Sequence, residues 1–378
     1  MNSFSGGFMK SIEEILSDLI RFKTDSSCEN NTEIINYICG IFDEHGLTYA
    51  RLKNKKSGLE SVVAGINTSL ENSTPLLMLS GHLDTVITNE KTWKITKPTS
   101  PLIQNGKLYG LGAADMKSAI AVYLASIEAL KKTRKEIILT FTNDEETNIE
   151  SIKDVLVFFK KQNIRPKYAF LGEPTDLHLA TQSMGYVGFK SLIKGEPGHA
   201  TSKQKATPIF VGAEIILFIE RLNIAYKKLA TFFHVGVAKG GECRNSLPSS
   251  FELDWEVRFV HKGPASVAMR HIIDLHKAIR NKNKFDIDLK MVEIIPSFVE
   301  GRHTELVKTM GKLLNEKSIY RITYSTEAGY IKGFGPKTVI FGPGKEELAH
   351  KADEYVEIKN LYKYQEIILQ FIETQKAK

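Results

Sequence analysis

The feature that most constrains the fold of this chain is a repeated pattern in which a short apolar run leads directly into histidine or acidic residues. The runs are residues 75–79, 137–141, 168–171 and 339–341, which are followed by His82, by Asp144-Glu145-Glu146, by Glu173, and by a Gly-Pro-Gly turn with His350. Runs this short and apolar are typical of parallel strands buried on both faces. Open α/β sheets place their sites beyond the carboxyl ends of such strands. We therefore expect these polar side chains to converge at one edge of a parallel sheet.

Helical periodicity fills the stretches between the apolar runs. Ser11-Ile12-Glu13-Glu14 has the capping-box pattern, and the apolar residues after it are spaced three and four apart, so a helix is predicted to begin at Ile12. The alanine-rich stretch Met116–Lys132 predicts a second helix.

Residues 184–295 follow a different pattern. Apolar and polar side chains alternate along residues 251–259 and 285–291, as in strands with one buried and one solvent-facing side. With further strands expected at 186–194 and 231–238 and helices at 207–222 and 265–280, the order is β-α-β-β-α-β, which is the ferredoxin-like arrangement. The sequence thus predicts an α/β domain, residues 1–183 and 296–378, with a mostly parallel sheet and helices on both faces. A smaller ferredoxin-like domain, residues 184–295, is inserted into it.

Composition excludes several classes of protein. The 378 residues are 42% hydrophobic and 25% charged, a profile typical of a globular chain of about two domains. No run approaches the ~20 apolar residues of a membrane-spanning helix, and no secretory signal is expected from the N-terminal residues. Three cysteines without a C-x-x-C pair favour a reducing cytoplasm over a disulfide framework. A net charge of +7 without a basic stripe interleaved with aromatics argues against nucleic-acid binding.

Two of the polar motifs leave alternatives open. In Gly81-His82-Leu83-Asp84, His82 can ligate a metal while Asp84 holds its other ring nitrogen, but a purely structural histidine fits the same residues. In the Gly110–Asp115 turn, Asp115 stands where a dinucleotide-binding loop has its third glycine, and no apolar strand precedes the turn. Asp115 therefore either caps the following helix or bridges two cations.

The other two motifs add acids and a second histidine. Three adjacent acids, Asp144 to Glu146, are either solvated or neutralised by a metal, and in the second case one of them can stay free as a general base. His350 after its glycine turn is a weak signal alone. Together the four motifs supply ligands suited to zinc, cobalt or manganese, without a cysteine among them.

Taken in order, SGHLDTV, YGLGAADMK, TNDEET, LGEPT and GPGKEELAHKADEYV resemble the motifs of the di-zinc aminoacylase and carboxypeptidase family. That family includes acetylornithine deacetylase, succinyl-diaminopimelate desuccinylase and the glutamate carboxypeptidases. The resemblance spans nearly the whole chain. It implies an α/β catalytic domain with an inserted ferredoxin-like lid through which two subunits dimerise.

Position by position, the resemblance also implies the roles of the site residues. It implies two divalent metal ions, Zn²⁺ or Co²⁺, one held by His82, Asp115 and Glu173 and the other by Asp115, Glu146 and His350, with Asp115 bridging. It further implies that Asp84 orients His82, and that Glu145 is the general base for a hydroxide shared by the two ions.

In the lid, the resemblance concerns three residues. His199 is similar to the family's lid histidine, which reaches the oxyanion from the partner subunit, and Asn245 and Arg258 match positions that bind substrate oxygen and carboxylate. For Arg258, an ion pair with the flanking acids is the alternative. Two departures leave substrate fit open: Ser118 stands where the family commonly has glycine, and residues 202–208 replace the family's usual segment after the lid histidine.

The resemblance therefore implies a cytoplasmic, homodimeric metal-dependent amidohydrolase that removes the acetyl group from an N-acetyl amino acid. Ser325-Thr326-Glu327-Ala328 and the Gly-Gly-x-x-x-Asn segment at 240–245 resemble acetylornithine deacetylase more than the desuccinylase. N-acetylornithine, a substrate of arginine biosynthesis, is thus expected, with acetyl-lysine and acetylcitrulline as close relatives. The alternatives are a succinyl-diaminopimelate desuccinylase, a small-peptide metallo-exopeptidase or carboxypeptidase, and a catalytically dead metal-binding protein. A nucleotide-binding protein built on the Gly110–Asp115 turn is a further alternative. No nucleic-acid or membrane partner is expected.

Overall fold

The computed structural model describes residues 10–201, 207–283, 285–315 and 320–375. The chain divides into two compact units. A large unit comprises Met1–Gln182, Glu300–Ile322 and Thr326–Lys378, and an inserted unit comprises Ser183–Val299 and Thr323–Ser325. The sequence had placed the insertion at 184–295. None of the described helices is long and apolar enough to cross a membrane.

The large unit contains helices and strands in alternation. Its helices are α1 (Ile12–Arg21), α2 (Thr32–Glu44), α3 (Lys117–Ala125), α4 (Ile127–Lys132), α5 (Ser151–Lys161), α8 (Glu305–Leu313), α9 (Ala328–Phe334) and α10 (Ile358–Thr374). Its strands are β1 (Thr48–Lys53), β2 (Glu60–Ile66), β3 (Leu77–His82), β4 (Leu102–Gln104), β5 (Lys107–Tyr109), β6 (Ile137–Thr142), β7 (Tyr168–Leu171), β8 (Ala180–Ser183), β16 (Tyr320–Arg321), β17 (Lys337–Ile340) and β18 (Tyr355–Glu357).

The central sheet of the large unit runs in the order β1-β2-β6-β3-β7-β17-β8. Its middle strands are parallel to one another, while β2 and β8 pair antiparallel to their neighbours. Every residue of β3, β6 and β7 is buried, which confirms the expectation of parallel strands covered on both faces. Strand β3 ends at His82, which pairs in register with Thr142 of β6. The carboxyl ends of β3 and β6 therefore meet at one edge of the sheet.

The first helix begins as predicted. The Ser11 hydroxyl accepts a hydrogen bond from the Glu14 amide at 3.2 Å, and the Glu14 carboxylate accepts one from the Ser11 amide at 2.7 Å. Both halves of the capping box are therefore formed.

The prediction of a single helix over residues 116–132 was wrong in one respect, because the structure has two helices there, separated at Ser126. The Ser126 hydroxyl donates to the Val122 carbonyl at 2.6 Å and accepts from the Gln365 side chain at 2.9 Å. A serine that binds the carbonyl four residues back bends a helix, and periodicity alone does not reveal such a bond.

The inserted unit has the predicted β-α-β-β-α-β order. Its main elements are β9 (Gly185–Lys194), α6 (Pro208–Tyr226), β11 (Thr231–Gly240), β13 (Ser250–Phe259), α7 (Lys262–Asn283) and β14 (Asp286–Ile295), with the short strands β10 (Gly198–His199), β12 (Ser246–Leu247) and β15 (Phe298–Val299). The four long strands form an antiparallel sheet in the order β11-β13-β9-β14. Both helices pack on one face of it, against Val187, Phe189, Trp255 and Val257 among others. The other face carries the polar side chains of the alternating pattern.

A buried histidine connects helix α7 to this sheet. Trp255 Nε1 donates to the Ser191 hydroxyl at 3.0 Å, and that hydroxyl is 3.0 Å from Nε2 of His276, whose Nδ1 lies 2.8 Å from the Ile272 carbonyl oxygen. The arrangement suits a neutral imidazole that donates from Nδ1 and accepts at Nε2. Burial lowers the pKa of His276 below its usual value.

This network makes the stability of the inserted unit depend on pH. Because the folded pKa of His276 lies below the unfolded value of about 6.5, its stabilising contribution is complete above that pH and is lost as the pH falls. We expect the melting temperature to drop more between pH 7.5 and pH 5 in the wild type than in His276→Gln, which cannot titrate. The matched control is His271→Gln, an exposed histidine on the same helix, which should keep the wild-type pH dependence. Equal drops in all three proteins would contradict this role.

Candidate metal centre

Three side chains of the large unit form a group that can hold a metal ion. His82 lies at the end of β3, Asp115 in the turn before α3, and Glu146 after β6, and each offers a ligand atom within 4.8 Å of the others. This is the edge of the sheet at which the sequence predicted convergence. The two nearby residues His350 and Glu173 extend the group.

Asp115 lies between the two histidines. His82 Nε2 is 3.2 Å from Asp115 Oδ1 and 3.9 Å from Glu173 Oε2. His350 Nε2 is 3.5 Å from Asp115 Oδ2 and 2.9 Å from Glu146 Oε1. Each imidazole thus faces Asp115 and one further carboxylate, in the two groupings that the resemblance implied.

Asp115 does not cap the helix that follows it. Helix α3 begins at Lys117, and the residue at its N-cap, Met116, makes no side-chain capping bond. The capping alternative is therefore wrong, because the Asp115 carboxylate faces the histidines instead.

His82 is oriented from its other nitrogen. Its Nδ1 lies 2.9 Å from the main-chain oxygen of Asp84 and 3.5 Å from the Asp84 carboxylate, which itself accepts the Glu146 amide at 3.0 Å. Asp84 thus fixes the ring chiefly through its backbone and fixes the position of Glu146 through its side chain. Outer contacts of this kind set the tautomer and direction of a ligating histidine.

The charges of the cluster are strongly coupled. Burial acts to lower the pKa of His82, but its contacts with Asp115 and Asp84 outweigh this and raise that pKa well above its usual value. Contacts with Asp115 and Glu146 raise the pKa of His350 to about 10. Burial raises the pKa of Glu173 well above its usual value, and the Oε1 atom of Glu173 has no hydrogen-bond partner among the described residues.

The three adjacent acids after β6 separate into two roles. Asp144 is buried in a left-handed backbone conformation with φ 65°, and its carboxylate accepts the amides of Glu150 and Ser151 at 3.1 and 3.0 Å. These two bonds hold the loop that follows β6. Glu145 is half-buried and, within the described part of the chain, forms no hydrogen bond or ion pair. Burial and the neighbouring Glu173 raise the pKa of Glu145 well above its usual value.

Glycines bring the ligand-bearing loops together. A Cβ atom at Gly342 would lie 2.2 Å from the Gly172 carbonyl oxygen and 2.3 Å from that of Glu173, and one at Gly344 would lie 2.1 Å from the Ala114 oxygen. No other residue type fits at these distances. The Gly-Pro-Gly turn, weak as a sequence signal, therefore sets the approach of the backbone segments that carry Glu173 and Asp115.

Sequence reasoning missed Glu354 as a functional residue. Its buried carboxylate accepts the backbone amides of Gly112, Ala114 and Asp115 at 3.0, 2.7 and 2.9 Å. Burial raises the pKa of Glu354 to about 8, opposed by these amide bonds. One side chain thus holds the turn that presents Asp115, four residues after the ligand candidate His350. The adjacent acids 353 and 354 were visible in the sequence, but no pattern shows which of them turns inward.

Glu327 is a second buried acid without an assigned role. Both of its carboxylate oxygens have no hydrogen-bond partner among the described residues. Burial raises its pKa to about 8. The sequence singled out residues 325–328 only as a resemblance, and burial of this acid was not foreseen.

The residues predicted in the lid lie on the inserted unit. Strands β10 and β12 pair His199 with Ser246, and the Ala200 amide donates to the Asn245 carbonyl at 3.0 Å, so the structure brings His199 and Asn245 together. Arg258 lies on β13, where its Nε donates to the Glu256 carboxylate at 2.7 Å. The ion pair with a flanking acid, the alternative for Arg258, is therefore present.

The structure describes the first departure from the family pattern, Ser118, in full and the second, residues 202–208, only in part. Ser118 is buried on α3, and its hydroxyl has no hydrogen-bond partner among the described residues. Residues 202–206 of the altered segment after His199 lie outside the described residues, while Thr207 caps α6.

The fold and the cluster together define a metal-dependent hydrolase of amide bonds, and comparison with known proteins bears this out. The chain belongs to peptidase family M20/M25/M40, whose family model matches residues 78–374. It is 30% identical over 324 residues to the acetylornithine deacetylase of Proteus mirabilis (strain HI4320), covering 81% of each chain. It is 28% identical over 380 residues to the succinyl-diaminopimelate desuccinylase of Rickettsia akari (strain Hartford), covering 94% of this chain and 98% of that one.

Solved structures give the same fold. A tripeptidase from Staphylococcus aureus subsp. aureus mu50 superposes with a TM-score of 0.81 at 19% identity, covering 97% of this chain and 99% of that one. At this identity the likeness concerns the fold.

The residues present fit a divalent metal. The donor set is imidazole and carboxylate, which suits zinc and cobalt, and the unpartnered Glu173 oxygen is the kind of buried atom that a cation satisfies. Five acidic and imidazole groups crowded in this way are costly without a cation or protons to neutralise the carboxylates.

The Glu354 contacts predict a loss of metal affinity when they are broken. Glu354→Gln replaces one acceptor oxygen with an amide that opposes the loop amides, so the Asp115 turn loosens. We expect the dissociation constant for Zn²⁺, measured by chelator competition, to rise about 10- to 100-fold. Glu347→Gln, at an exposed acid of the same segment, should bind like the wild type. Unchanged affinity in a folded Glu354→Gln variant would show that these bonds do not position Asp115.

Proposed function

We propose that this protein removes the acetyl group from N-acetyl amino acids, with N-acetylornithine as its substrate. The observation that carries the proposal is the Asp115 carboxylate shared between His82 and His350, each facing a second carboxylate. Such a set would hold two divalent ions, and Asp115 would be a ligand of both. The acetyl group is supported by the relatives named acetylornithine deacetylase and by the resemblance at residues 325–328.

The proposed metal ligands are His82, Asp115 and Glu173 for one ion and Asp115, Glu146 and His350 for the other, with Zn²⁺ or Co²⁺ as the ion. When bound, these ions supply the Lewis acidity that polarises an amide carbonyl and makes water more acidic. Asp84 and Glu354 keep the ligands in place through the contacts described above.

Glu145 is proposed as the general base and acid. Its carboxylate lies beside the cluster and is not committed to any hydrogen bond among the described residues, so it is available to a water molecule. It takes one proton from the water as the oxygen attacks the amide carbon. It then gives that proton to the amine nitrogen as the C–N bond breaks, so acetate and the free amino acid leave and Glu145 is regenerated.

The base role predicts a variant that binds metal but does not turn over. Glu145→Gln keeps the shape of the side chain and removes its proton affinity, so kcat should fall about 10²- to 10⁴-fold while metal content by mass spectrometry stays constant. The control is Glu150→Gln, an acid of the same loop paired with Lys153, which should retain wild-type kcat. Near-normal turnover by Glu145→Gln would remove the residue from the mechanism.

A desuccinylase is the second candidate. The desuccinylase of Rickettsia akari matches 94% of this chain, a larger share than the 81% that the Proteus mirabilis deacetylase matches. A small-peptide exopeptidase remains the third, since the similar solved structures include a tripeptidase.

A substrate panel separates the three candidates. We expect the zinc- or cobalt-loaded protein, with two ions per chain, to hydrolyse N-acetylornithine with a kcat/KM at least tenfold above those for N-succinyl-diaminopimelate and a tripeptide. Removal of the ions with a chelator should abolish the activity, and their return should restore it. A preference for the succinyl compound or the tripeptide would transfer the assignment to that candidate.

The homodimer is proposed from the surface of the inserted unit. Phe210, Leu217 and Ile224 repeat every seven residues along α6 and are 70%, 60% and 69% exposed. The helix packs beside β11, which is the terminal strand of its sheet. A second copy that covers the same helix and strand edge by a two-fold axis would bury both features. The partner's lid histidine, His199 by resemblance, would then be supplied across the dimer.

Light scattering tests this interface. The wild type should behave as a dimer at micromolar concentration, and Leu217→Lys should shift it to monomer because a charge is buried at the contact. Val267→Lys, at a half-exposed apolar residue of α7, is the control and should leave the dimer intact. A monomeric wild type would contradict the proposal.

A further inference from the structure

A small polar cavity lies beside the metal centre within the large unit. Its volume is about 30 Å³, which is enough for one water molecule or one ion. Residues of the segment after α1 and of the loop that follows β6 line it. Its polar lining includes three aspartates, an asparagine and a threonine, namely Asp25, Asp84, Asp144, Asn143 and Thr24.

Thr24 and Asn143 each supply an oxygen atom without a partner. Thr24 is 5% exposed, and its hydroxyl forms no hydrogen bond with any described residue. The Asn143 side chain donates to the Glu60 carbonyl, and its own oxygen has no partner in the described part of the chain. A buried hydroxyl in this state is unfavourable unless a group inside the cavity satisfies it. The cavity is therefore the place where a partner for these oxygens fits.

Two of the aspartates connect the cavity to the loop that carries Glu145 and Glu146. Asp84 Oδ2 accepts the Glu146 amide at 3.0 Å. Asp84 Oδ1 lies 3.5 Å from His82 Nδ1 and has no hydrogen-bond partner among the described residues. Asp144 accepts two amides further along the same loop, at 3.1 and 3.0 Å. Both carboxylates thus hold this loop and add negative charge beside the cavity.

The balance of charge around the cavity favours one added cation. Three carboxylates line it, and among the described residues no lysine or arginine does. Two ammonium groups lie close by but outside the lining. Lys23 Nζ is 3.5 Å from Asp25 Oδ2, and Lys117 Nζ donates to the carbonyls of Leu19 and Phe22. Three carboxylates against two lysines leave one negative charge, which a single monovalent cation neutralises.

The spacing of the ligand atoms favours a large ion over a small one. Among the described residues, the group with three acidic or imidazole ligand atoms within 4.8 Å of one another is that of the metal centre, and the three aspartates of the cavity form no second group of this kind. A small divalent ion such as Mg²⁺ demands short bonds in near-ideal octahedral geometry. Oxygen atoms that lie further apart suit K⁺, whose hydration shell they can replace.

We infer that this cavity binds one monovalent cation of the size of K⁺, through oxygen atoms of Thr24, Asn143 and the three aspartates. The bound cation joins the segment after α1 to the loop that follows β6. Because Asp84 and Asp144 hold that loop, the cation stabilises the part of the chain that presents Glu145 and Glu146. The site is separate from the metal ligands and does not depend on which amide the protein hydrolyses.

Thermal unfolding of the metal-loaded full chain in potassium chloride and in choline chloride, at equal ionic strength, tests the inference. Choline is too large for a cavity of this volume. A ligand that binds only the folded chain stabilises it, so we expect a melting temperature ~2 °C or more higher in potassium, with a saturable dependence on K⁺. Thr24→Val removes a hydroxyl that has no protein partner. It should keep the wild-type melting temperature in choline and lose about half or more of the potassium shift.

Thr181→Val is the matched control. Thr181 is also a buried threonine with an unpartnered hydroxyl, but it lies on β8, outside the cavity, so this variant should keep the full potassium shift. Asp25→Asn, which removes one negative charge from the lining, should reduce the shift as Thr24→Val does. Hydrogen exchange locates the effect: K⁺ should slow exchange of the Glu146 and Ser151 amides about threefold or more, and leave the Lys308 amide in the first turn of α8 unchanged.

Two results would overturn the inference. Equal melting temperatures of the wild type in potassium and in choline would show that the cavity holds no cation. An equal potassium shift in the wild type and in Thr24→Val would show that the ion binds elsewhere. Neither result bears on the substrate panel, so a failure of this site and a failure of the proposed function are distinguishable.

Discussion

Asp115 offers one carboxylate oxygen to His82 at 3.2 Å and the other to His350 at 3.5 Å. This double contact joins the end of β3, the turn before α3 and a segment more than 230 residues further along the chain. Because both histidines depend on the same carboxylate, the position of the Asp115 turn decides the geometry of the whole cluster. The three backbone bonds to Glu354 and the glycine at 344, where no side chain fits, hold that turn from two directions.

Burial of the acids and repulsion between them oppose the assembly of the cluster. Burial raises the pKa values of Glu173 and Glu146, and the negative charge of Asp115 raises both of them further. Asp115 itself has a lowered pKa, because contacts with His350 and His82 overcome the effect of its burial. A carboxylate held between two imidazoles, with further acids beyond them, is an arrangement that divalent cations neutralise. The rigid parallel strands beneath the cluster supply the packing that keeps these groups together in spite of their repulsion.

Much of this was accessible from the sequence, because buried parallel strands produce apolar runs and their carboxyl ends share an edge. The β-α-β-β-α-β order could be predicted equally well, because apolar and polar residues alternate along strands that have one solvent-facing side. The direction in which individual side chains point could not be predicted from the sequence. Nothing local distinguishes Asp144, which turns back to bind the amides of Glu150 and Ser151, from Glu145 and Glu146 beside it. The inward turn of Glu354 and the break at Ser126 depend on partners far away in sequence, Gly112 and Gln365 among them.

The choice of substrate has to lie outside the metal ligands, because a metal cluster contacts only the amide that is cleaved. Overall similarity does not settle the choice either, since relatives named for acetyl and for succinyl substrates match this chain at about the same identity, 30% and 28%. The residues that contact the remainder of the substrate therefore have to make that choice.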